Sequence, residues 1–324
     1  MAENSSITLE QIHDLRACLP DISFMPEADK SVSLPELESA YLNYYGIDFR
    51  TDHFHRFGRV VLPPYTIAVH YWLPTTRPSR PAKGVVMIVH GYFDHMGLFE
   101  HLTDFLLKRG YGVVGFDLPG HGLSSGERAS IESFDHYVDV FDELLKMVHQ
   151  GFTCPVSAIG QSTGGAILLK HLALSHEREI SPGLDKVTLL APLIEPAMWW
   201  FNKWVYALVR KRVKGIKRKF RKNSEDPAFL DFLKKDPLQA RQLPMPWLGA
   251  MKRWVNEARK MHPCPYPVNI LQGKKDATLA WRANTKLLKK KYPNSQITLL
   301  DDVKHHMVNE APPLREKIFS MMGF

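Results

Sequence analysis

Two serines in this chain stand in Gly-x-Ser-x-Gly, the spacing of a strained turn that pushes a nucleophilic hydroxyl out of the backbone. They are Ser162 in "GQSTGG", residues 160–165, and Ser124 in "GLSSG", residues 122–126. The chemistry such a serine performs is acyl transfer, and it needs a base to take the hydroxyl proton and a third group, usually a carboxylate, to orient that base. In an open α/β sheet ligands sit at the carboxyl ends of the strands, so the nucleophile belongs directly after a strand and directly before a helix. Ser162 meets that condition: "CPVSAIG" precedes it and "GAILLKHLALSH" follows with helical spacing. Gly160 and Gly164 free the turn of bulk, and the helix N-terminus helps to hold developing negative charge. Ser124 lies seven residues past Asp117, the expected end of its strand, and is followed by polar "ERASIES", so it is expected in a loop.

A sheet of this kind presents its groups in the order serine, acid, histidine, which directs attention to the last two strands. After "VNILQG" comes "KKDATL", placing Asp276 on the loop at a strand's carboxyl end, and after "ITLLDDV" comes "KHHMVNE", offering His305 and His306. An oxyanion hole takes one backbone N–H from the residue after the nucleophile, Thr163, and another from the loop after the third strand. In "VHGYFDHMG" that second donor is Tyr92.

The elements that must position these groups follow from hydrophobic periodicity. "RVVLP" and "TIAVHYWLP" form an expected hairpin around Pro63 and Pro64. Continuous apolar runs, "GVVMIVHG", "YGVVGFD", "CPVSAIG", "KVTLLAP", "PVNILQG" and "QITLLDD", then alternate with helical stretches such as "FDHYVDVFDELLKMVHQG". Runs apolar on both faces suit a buried parallel sheet covered by crossover helices. The fold class is therefore α/β, a doubly wound and mostly parallel sheet. Residues 1–45 read as a polar leader with short helices, and 46–193 with 263–324 as the core. Residues 194–262, which contain no clear strand, read as a helical cap inserted between the sixth and seventh strands.

Composition excludes several classes. The chain has 324 residues, 44% of them hydrophobic, and a net charge of +8, which suits one large globular unit. No secretory signal or membrane anchor is recognisable near the start, and a cytoplasmic location is expected. Cys18, Cys154 and Cys264 lie far apart, and the histidines show no zinc spacing, so no metal is implied. From Lys203 to Lys222 there are ten basic and no acidic residues, whereas the rest of the chain has 32 basic against 34 acidic. The charge excess thus belongs to one segment of the cap. No nucleic-acid-binding module accompanies it, and no such partner is expected.

Taken together, "HGYFDHMG", "FDLPGHGLSSG", "GQSTGG", "GKKDATL" and "KHHMVNE" resemble the α/β-hydrolase superfamily, and within it the monoacylglycerol lipase and bacterial lysophospholipase branch. The resemblance runs from about Arg56 onward. It implies a nucleophile at Ser162, an acid at Asp276 and a base at His305, with Tyr92 and Thr163 as oxyanion donors and no cofactor. The Tyr92 side chain, where the branch usually has a small residue, is expected to narrow the pocket. The implied activity is hydrolysis of a carboxylic ester of one acyl chain, a monoacylglycerol or lysophospholipid, through an acyl-enzyme. A small-ester carboxylesterase or thioesterase would use the same residues. A dehalogenase would need an aspartate in place of Ser162, and a non-catalytic membrane-surface binding module would need no triad.

Two expectations concern the cap. Trp199, Trp200 and Trp204, with Phe201, are candidates to line an acyl channel. In "VYALVRKRVKGIKRKF", Val205, Val209, Val213, Ile216 and Phe220 make an apolar stripe if the segment is one helix, and Arg210, Lys214, Lys217 and Arg221 make a basic stripe beside it. That basic stripe is expected to meet an anionic membrane peripherally.

Overall fold

The computed structural model describes residues 6–25, 35–75 and 83–324; the stretches 1–5 and 26–34 of the expected leader lie outside the described residues. An eight-stranded sheet forms the centre. The hairpin β1 (Phe54–Leu62) and β2 (Tyr65–Leu73) is antiparallel and turns at Pro63 and Pro64, and β2 runs antiparallel to β4 (Gly112–Phe116). The remaining strands, β3 (Val85–Val89), β5 (Val156–Gln161), β6 (Val187–Leu190), β9 (Asn269–Gly273) and β10 (Gln296–Leu300), are parallel to their neighbours, in the spatial order β1-β2-β4-β3-β5-β6-β9-β10. Every residue of β3, β4, β5 and β6 is buried. Helices on both faces require this, because neither face of the sheet meets water.

Sheet order reverses at β3, which is flanked by β4 on one side and β5 on the other. Such a reversal parts the connecting loops and opens a crevice beyond the carboxyl ends of the strands. Val89 pairs in register with Gly160, so the loop after β3 and the turn after β5 leave the sheet side by side. Helix α4 (Phe134–Gly151) seals one face with Phe134, Tyr137, Val138, Phe141, Leu144, Leu145 and Val148, and starts at Ser133, whose hydroxyl accepts from the Asp135 N–H. Helix α5 (Thr163–Glu177) is buried along almost its whole length.

The leader is built into the core. Helix α1 (Leu9–Cys18) begins at a Thr8–Gln11 capping box, and α2 (Pro35–Tyr45) buries Tyr41, Leu42 and Tyr45 completely. Between them, Pro20 and Ile22 exchange backbone hydrogen bonds with Arg59 on β1, so the leader covers the sheet's edge strand. Tyr45 reaches further. Its hydroxyl donates to Asp236 Oδ1 at 2.7 Å, and the same carboxylate meets His95 Nε2 at 2.9 Å.

The segment between β6 and β9 holds α6 (Trp199–Val209), α7 (Pro227–Lys235) and α8 (Met245–Lys260). It also holds strands, contrary to the expectation from sequence: β7 (Gly215–Lys217) pairs antiparallel with β8 (Gln242–Pro244). The helix expected through the basic segment stops at Val209. Continued as a helix, Arg210, Lys211, Arg212 and Lys214 would have set like charges three and four residues apart, and Gly215 would have weakened it further. The chain turns out instead and pairs Ile216 with Leu243. Arg210, Lys214, Lys217 and Arg221 therefore do not share one helical face.

Candidate active site

Ser162 sits between the last residue of β5 and the first of α5, with φ +51° and ψ −109°. This backbone region is strained for a residue with a side chain and is held only when its surroundings dictate it. The neighbouring glycines show how. A Cβ at Gly160 would lie 2.6 Å from the Gly164 carbonyl carbon and oxygen, and one at Gly164 would lie 1.9 Å from the Val89 oxygen. The turn can pack against β3 only without those side chains.

Asp276 follows the end of β9 by three residues and His305 the end of β10 by five. Both side chains are buried and both turn toward Ser162. His305 Nε2 lies 3.0 Å from Ser162 Oγ, and His305 Nδ1 lies 2.8 Å from Asp276 Oδ2. A carboxylate only accepts, so the Nδ1–H donates to Asp276 and leaves Nε2 free to accept from the serine. Asp276 also accepts from the Thr278 N–H (2.8 Å) and the Leu279 N–H (3.0 Å) at Oδ1, and from Gln272 Nε2 (3.2 Å) at Oδ2.

These contacts set the charges. Burial alone would raise the Asp276 carboxyl, but the His305 ring, its hydrogen bond and the two amides hold it below the usual carboxylate range. Burial alone would lower His305; the Asp276 charge and hydrogen bond, with Asp94 further off, raise it above the ordinary imidazole value. The arrangement can accept a proton from the hydroxyl at Nε2 and stabilise the resulting imidazolium.

The loop after β3 faces this group. Its peptide at Gly91 is fixed by His90, whose Nδ1–H donates to the Gly91 oxygen (2.7 Å) while its Nε2 accepts from the Leu118 N–H (2.9 Å). Asp117 holds the loop's far side by accepting from the Met96 N–H at 2.8 Å. Thr163 is the first residue of α5, and a helix leaves that N–H without an acceptor of its own. Tyr92 and Thr163 both border the cavity over Ser162. The Tyr92 ring stacks on Trp247 of α8 at 3.7 Å between centroids, and its hydroxyl donates to the Ala129 oxygen at 2.7 Å, so the ring forms a fixed wall.

The other candidate groups lie elsewhere. Ser124 is buried in a loop, where its Oγ donates to the Asp117 oxygen (2.5 Å) and accepts from the Ala68 N–H (2.9 Å). His306 turns away from Ser162, and its Nε2 meets Asp94 Oδ1 at 3.1 Å. That contact was not foreseen in the sequence; the doubled histidine of "KHHM" and the acid of "GYFD" were its only signals. Trp199, Trp200 and Trp204 do not border the cavity: Trp199 is buried in the hydrophobic core, while Trp200 and Trp204 are 68% and 66% exposed. On α6 the next turn supplies the wall, through Asn202, Val205 and Tyr206. With Leu248 and Met251 of α8, they roof a cavity of about 560 Å³ whose floor is Ser162 and His305, a size usual for a small-molecule site.

The sequence model of the family described as "Serine aminopeptidase, S33" matches residues 80–312, well over half of the chain. The chain belongs to this family. Its sheet order and cap are those of an α/β-hydrolase, and its relatives fall in the monoacylglycerol lipase and lysophospholipase branch. It is 29% identical over 120 residues to "Phospholipase YtpA" of Bacillus subtilis, covering 37% of this chain and 44% of that protein. To "Monoglyceride lipase" of Homo sapiens it is 35% identical over 126 residues, 38% of each chain. The matched stretches thus span less than half the length of these relatives. Among solved structures, a soluble variant of monoglyceride lipase from Saccharomyces cerevisiae in complex with a substrate analog superposes with a TM-score of 0.67 at 19% identity, over 82% of this chain and 92% of that one. At that identity the likeness is one of fold.

Proposed function

We propose that the protein is a serine hydrolase of carboxylic esters with one acyl chain, of the monoacylglycerol or lysophospholipid kind. The observation that carries this reading is the hydrogen-bonded line from Ser162 Oγ through His305 to Asp276, at 3.0 and 2.8 Å, on the floor of a largely apolar cavity. In this reading Ser162 Oγ attacks the ester carbonyl as His305 Nε2 takes its proton. The tetrahedral oxyanion is held by the N–H groups of Tyr92 and Thr163. His305 then gives the proton to the departing alcohol, leaving an acyl group on Ser162. Water, losing its proton to the same nitrogen, releases the acid and restores the hydroxyl.

The relatives' names, phospholipase and monoglyceride lipase, support a lipid ester over a thioester or a small ester. In the test, a fluorophosphonate labels the wild-type protein and the Ser124→Ala variant but not Ser162→Ala. A panel of monoacylglycerols, lysophospholipids and para-nitrophenyl esters is then hydrolysed with a preference for the first two. Labelling of Ser162→Ala sinks the nucleophile assignment.

The same reading includes peripheral contact with an anionic lipid surface, since Trp200, Trp204 and Leu208, four residues apart on α6, are exposed and the exposed Arg210 and Lys214 follow the end of that helix. Exposed aromatic rings followed by cations suit the boundary between anionic headgroups and acyl chains. Co-sedimentation with anionic but not zwitterionic vesicles, weakened by salt and by Trp200→Ala with Trp204→Ala, supports this contact; unchanged binding by the double variant removes it. Among the described residues no helix is long and apolar enough to cross a membrane.

A further inference from the structure

The basic run of the cap has a second face. Beyond β7 the chain stays extended, with the Arg218 N–H bonded to the Arg241 oxygen, so side chains alternate. Lys217, Lys219 and Arg221 are exposed, while Arg218 and Phe220 are half-buried. All four of these cations border the cavity over Ser162, whereas Asp94 is the one carboxylate among the described residues that borders it. Asp94 is already engaged: burial works to raise it, but His306 and its hydrogen bond take it down to about 2.

Arg218 is held like a tool. Its guanidinium lies 4.0 Å from the centroid of the Phe93 ring and 4.4 Å from that of Phe220. Its Nη1 donates to two neutral oxygens, Gln239 Oε1 at 2.6 Å and the Ala240 carbonyl at 3.2 Å. Burial pulls it down to about 10 against the pull of Asp94. Phe93 directly follows Tyr92, so the cation rests on the loop that faces the serine. A guanidinium fixed between rings, partly stripped of water and hydrogen-bonded to neutral partners is preorganised for an oxyanion from outside the chain.

We propose that the ester taken by this cavity carries an anionic phosphate or carboxylate group, which Arg218 receives while Lys217, Lys219 and Arg221 draw it to the mouth. The proposal rests on the reading of Ser162 as the nucleophile and narrows its substrate to charged esters. The test uses hexanoyl esters of glycerol, glycerol phosphate and glyceric acid at concentrations where they are monomeric, so that no lipid surface contributes. For the wild-type protein kcat/KM is expected to be at least tenfold higher for a charged ester than for the neutral one, and whichever of the two is preferred identifies the anion. That ratio falls to near one in Arg218→Gln and is partly kept in Arg218→Lys, with melting temperatures confirming that both variants fold.

Equal kcat/KM for all three esters in the wild-type protein, or a preference that survives in Arg218→Gln, overturns the proposal. Calorimetry on the Ser162→Ala protein separates this outcome from failure of the hydrolase reading. There hexanoyl glycerol phosphate or hexanoyl glycerate binds at least tenfold more tightly than hexanoylglycerol, and Arg218→Gln in the same background removes the difference. Absence of ester turnover in the wild-type protein, with that binding intact in Ser162→Ala, would count against the hydrolase reading alone. Equal binding of the three esters would count against Arg218.

Discussion

Asp276→Asn tests the electrostatic design of the site at the level of a single atom. The Oδ1 position accepts from the Thr278 and Leu279 amides at 2.8 and 3.0 Å, so the oxygen of an asparagine must stay there. Its NH₂ group then occupies the Oδ2 position, facing His305 Nδ1 and Gln272 Nε2, both of which donate to Asp276 in the native protein. Two donors cannot share that contact. The imidazole must move its proton to Nε2, where it points at Ser162 and the nitrogen can no longer accept. In a triad of this geometry a wrong tautomer costs about ten-thousandfold in turnover, which is about 5.4 kcal/mol of barrier.

The pH profile gives an independent reading of the same substitution. On the proposed mechanism His305 acts only when neutral, so wild-type activity is expected to rise with pH through a midpoint above the ordinary 6.5, because Asp276 outweighs burial. Without that charge burial prevails, so the residual activity of Asp276→Asn should rise through a midpoint below 6.5. The assay is para-nitrophenyl ester hydrolysis from pH 5 to 9, with a thermal melt to confirm folding. A loss of less than tenfold, or a midpoint that fails to fall, would refute the reasoning.

His305→Ala is expected to cost several orders of magnitude more turnover than His306→Ala, because His306 contacts Asp94 rather than Ser162; steady-state kinetics on the pair decides this. Gly164→Ala forces a methyl to within 1.9 Å of the Val89 oxygen and should lower stability by about 1–3 kcal/mol, read as a fall in urea midpoint, with loss of fluorophosphonate labelling. Tyr45→Phe removes a 2.7 Å hydrogen bond to the buried Asp236 carboxylate and should cost about 1.5–3 kcal/mol in the same titration. Burial opposes the Asp236 charge, yet His95, Gln239 and Tyr45 keep its carboxyl below the ordinary value. The contribution of that carboxylate is therefore present above the unfolded pKa of about 3.9 and lost as pH falls through the lower folded value. Denaturation at pH 3 should then show a smaller difference between Tyr45→Phe and wild type than at pH 7.

The core was readable in the sequence because its signals are local and redundant. Each parallel strand is buried on both faces, so an unbroken apolar run such as "GVVMIV" marks it, and the loop at its carboxyl end follows directly. That is why the strand ends point to Ser162, to Asp276 and to the pair His305 and His306, more than a hundred residues apart at the extremes, while the choice of His305 within the pair comes from the family resemblance and agrees with its 3.0 Å contact to Ser162. The cap resisted the same treatment. Its strand β7 has three residues and a single partner, too short for periodicity, and "RKRVKGIK" fits a helical wheel as well as an extended ribbon. Charge repulsion and pairing with Gln242–Pro244, a contact invisible in the local sequence, settled the outcome. The tryptophans misled for a related reason. Aromatic content shows that something is covered, but the rotation of α6 decides whether Trp204 or its neighbours Val205 and Tyr206 face the cavity.

The order in which the chain supplies the three groups has a kinetic consequence. Ser162 and His305 are separated by 143 positions, and His305 is carried by the loop after β10, the edge strand whose sheet partner is β9. Most of the sheet can assemble around β3 and β5 while the serine still has no base. Closing so long a span is slow compared with local helix formation, so docking of β10 should follow the rise of helical signal during refolding. On the proposed mechanism, recovered hydrolytic activity would then report the last stage of assembly, and a partly built molecule would carry its serine turn without a base.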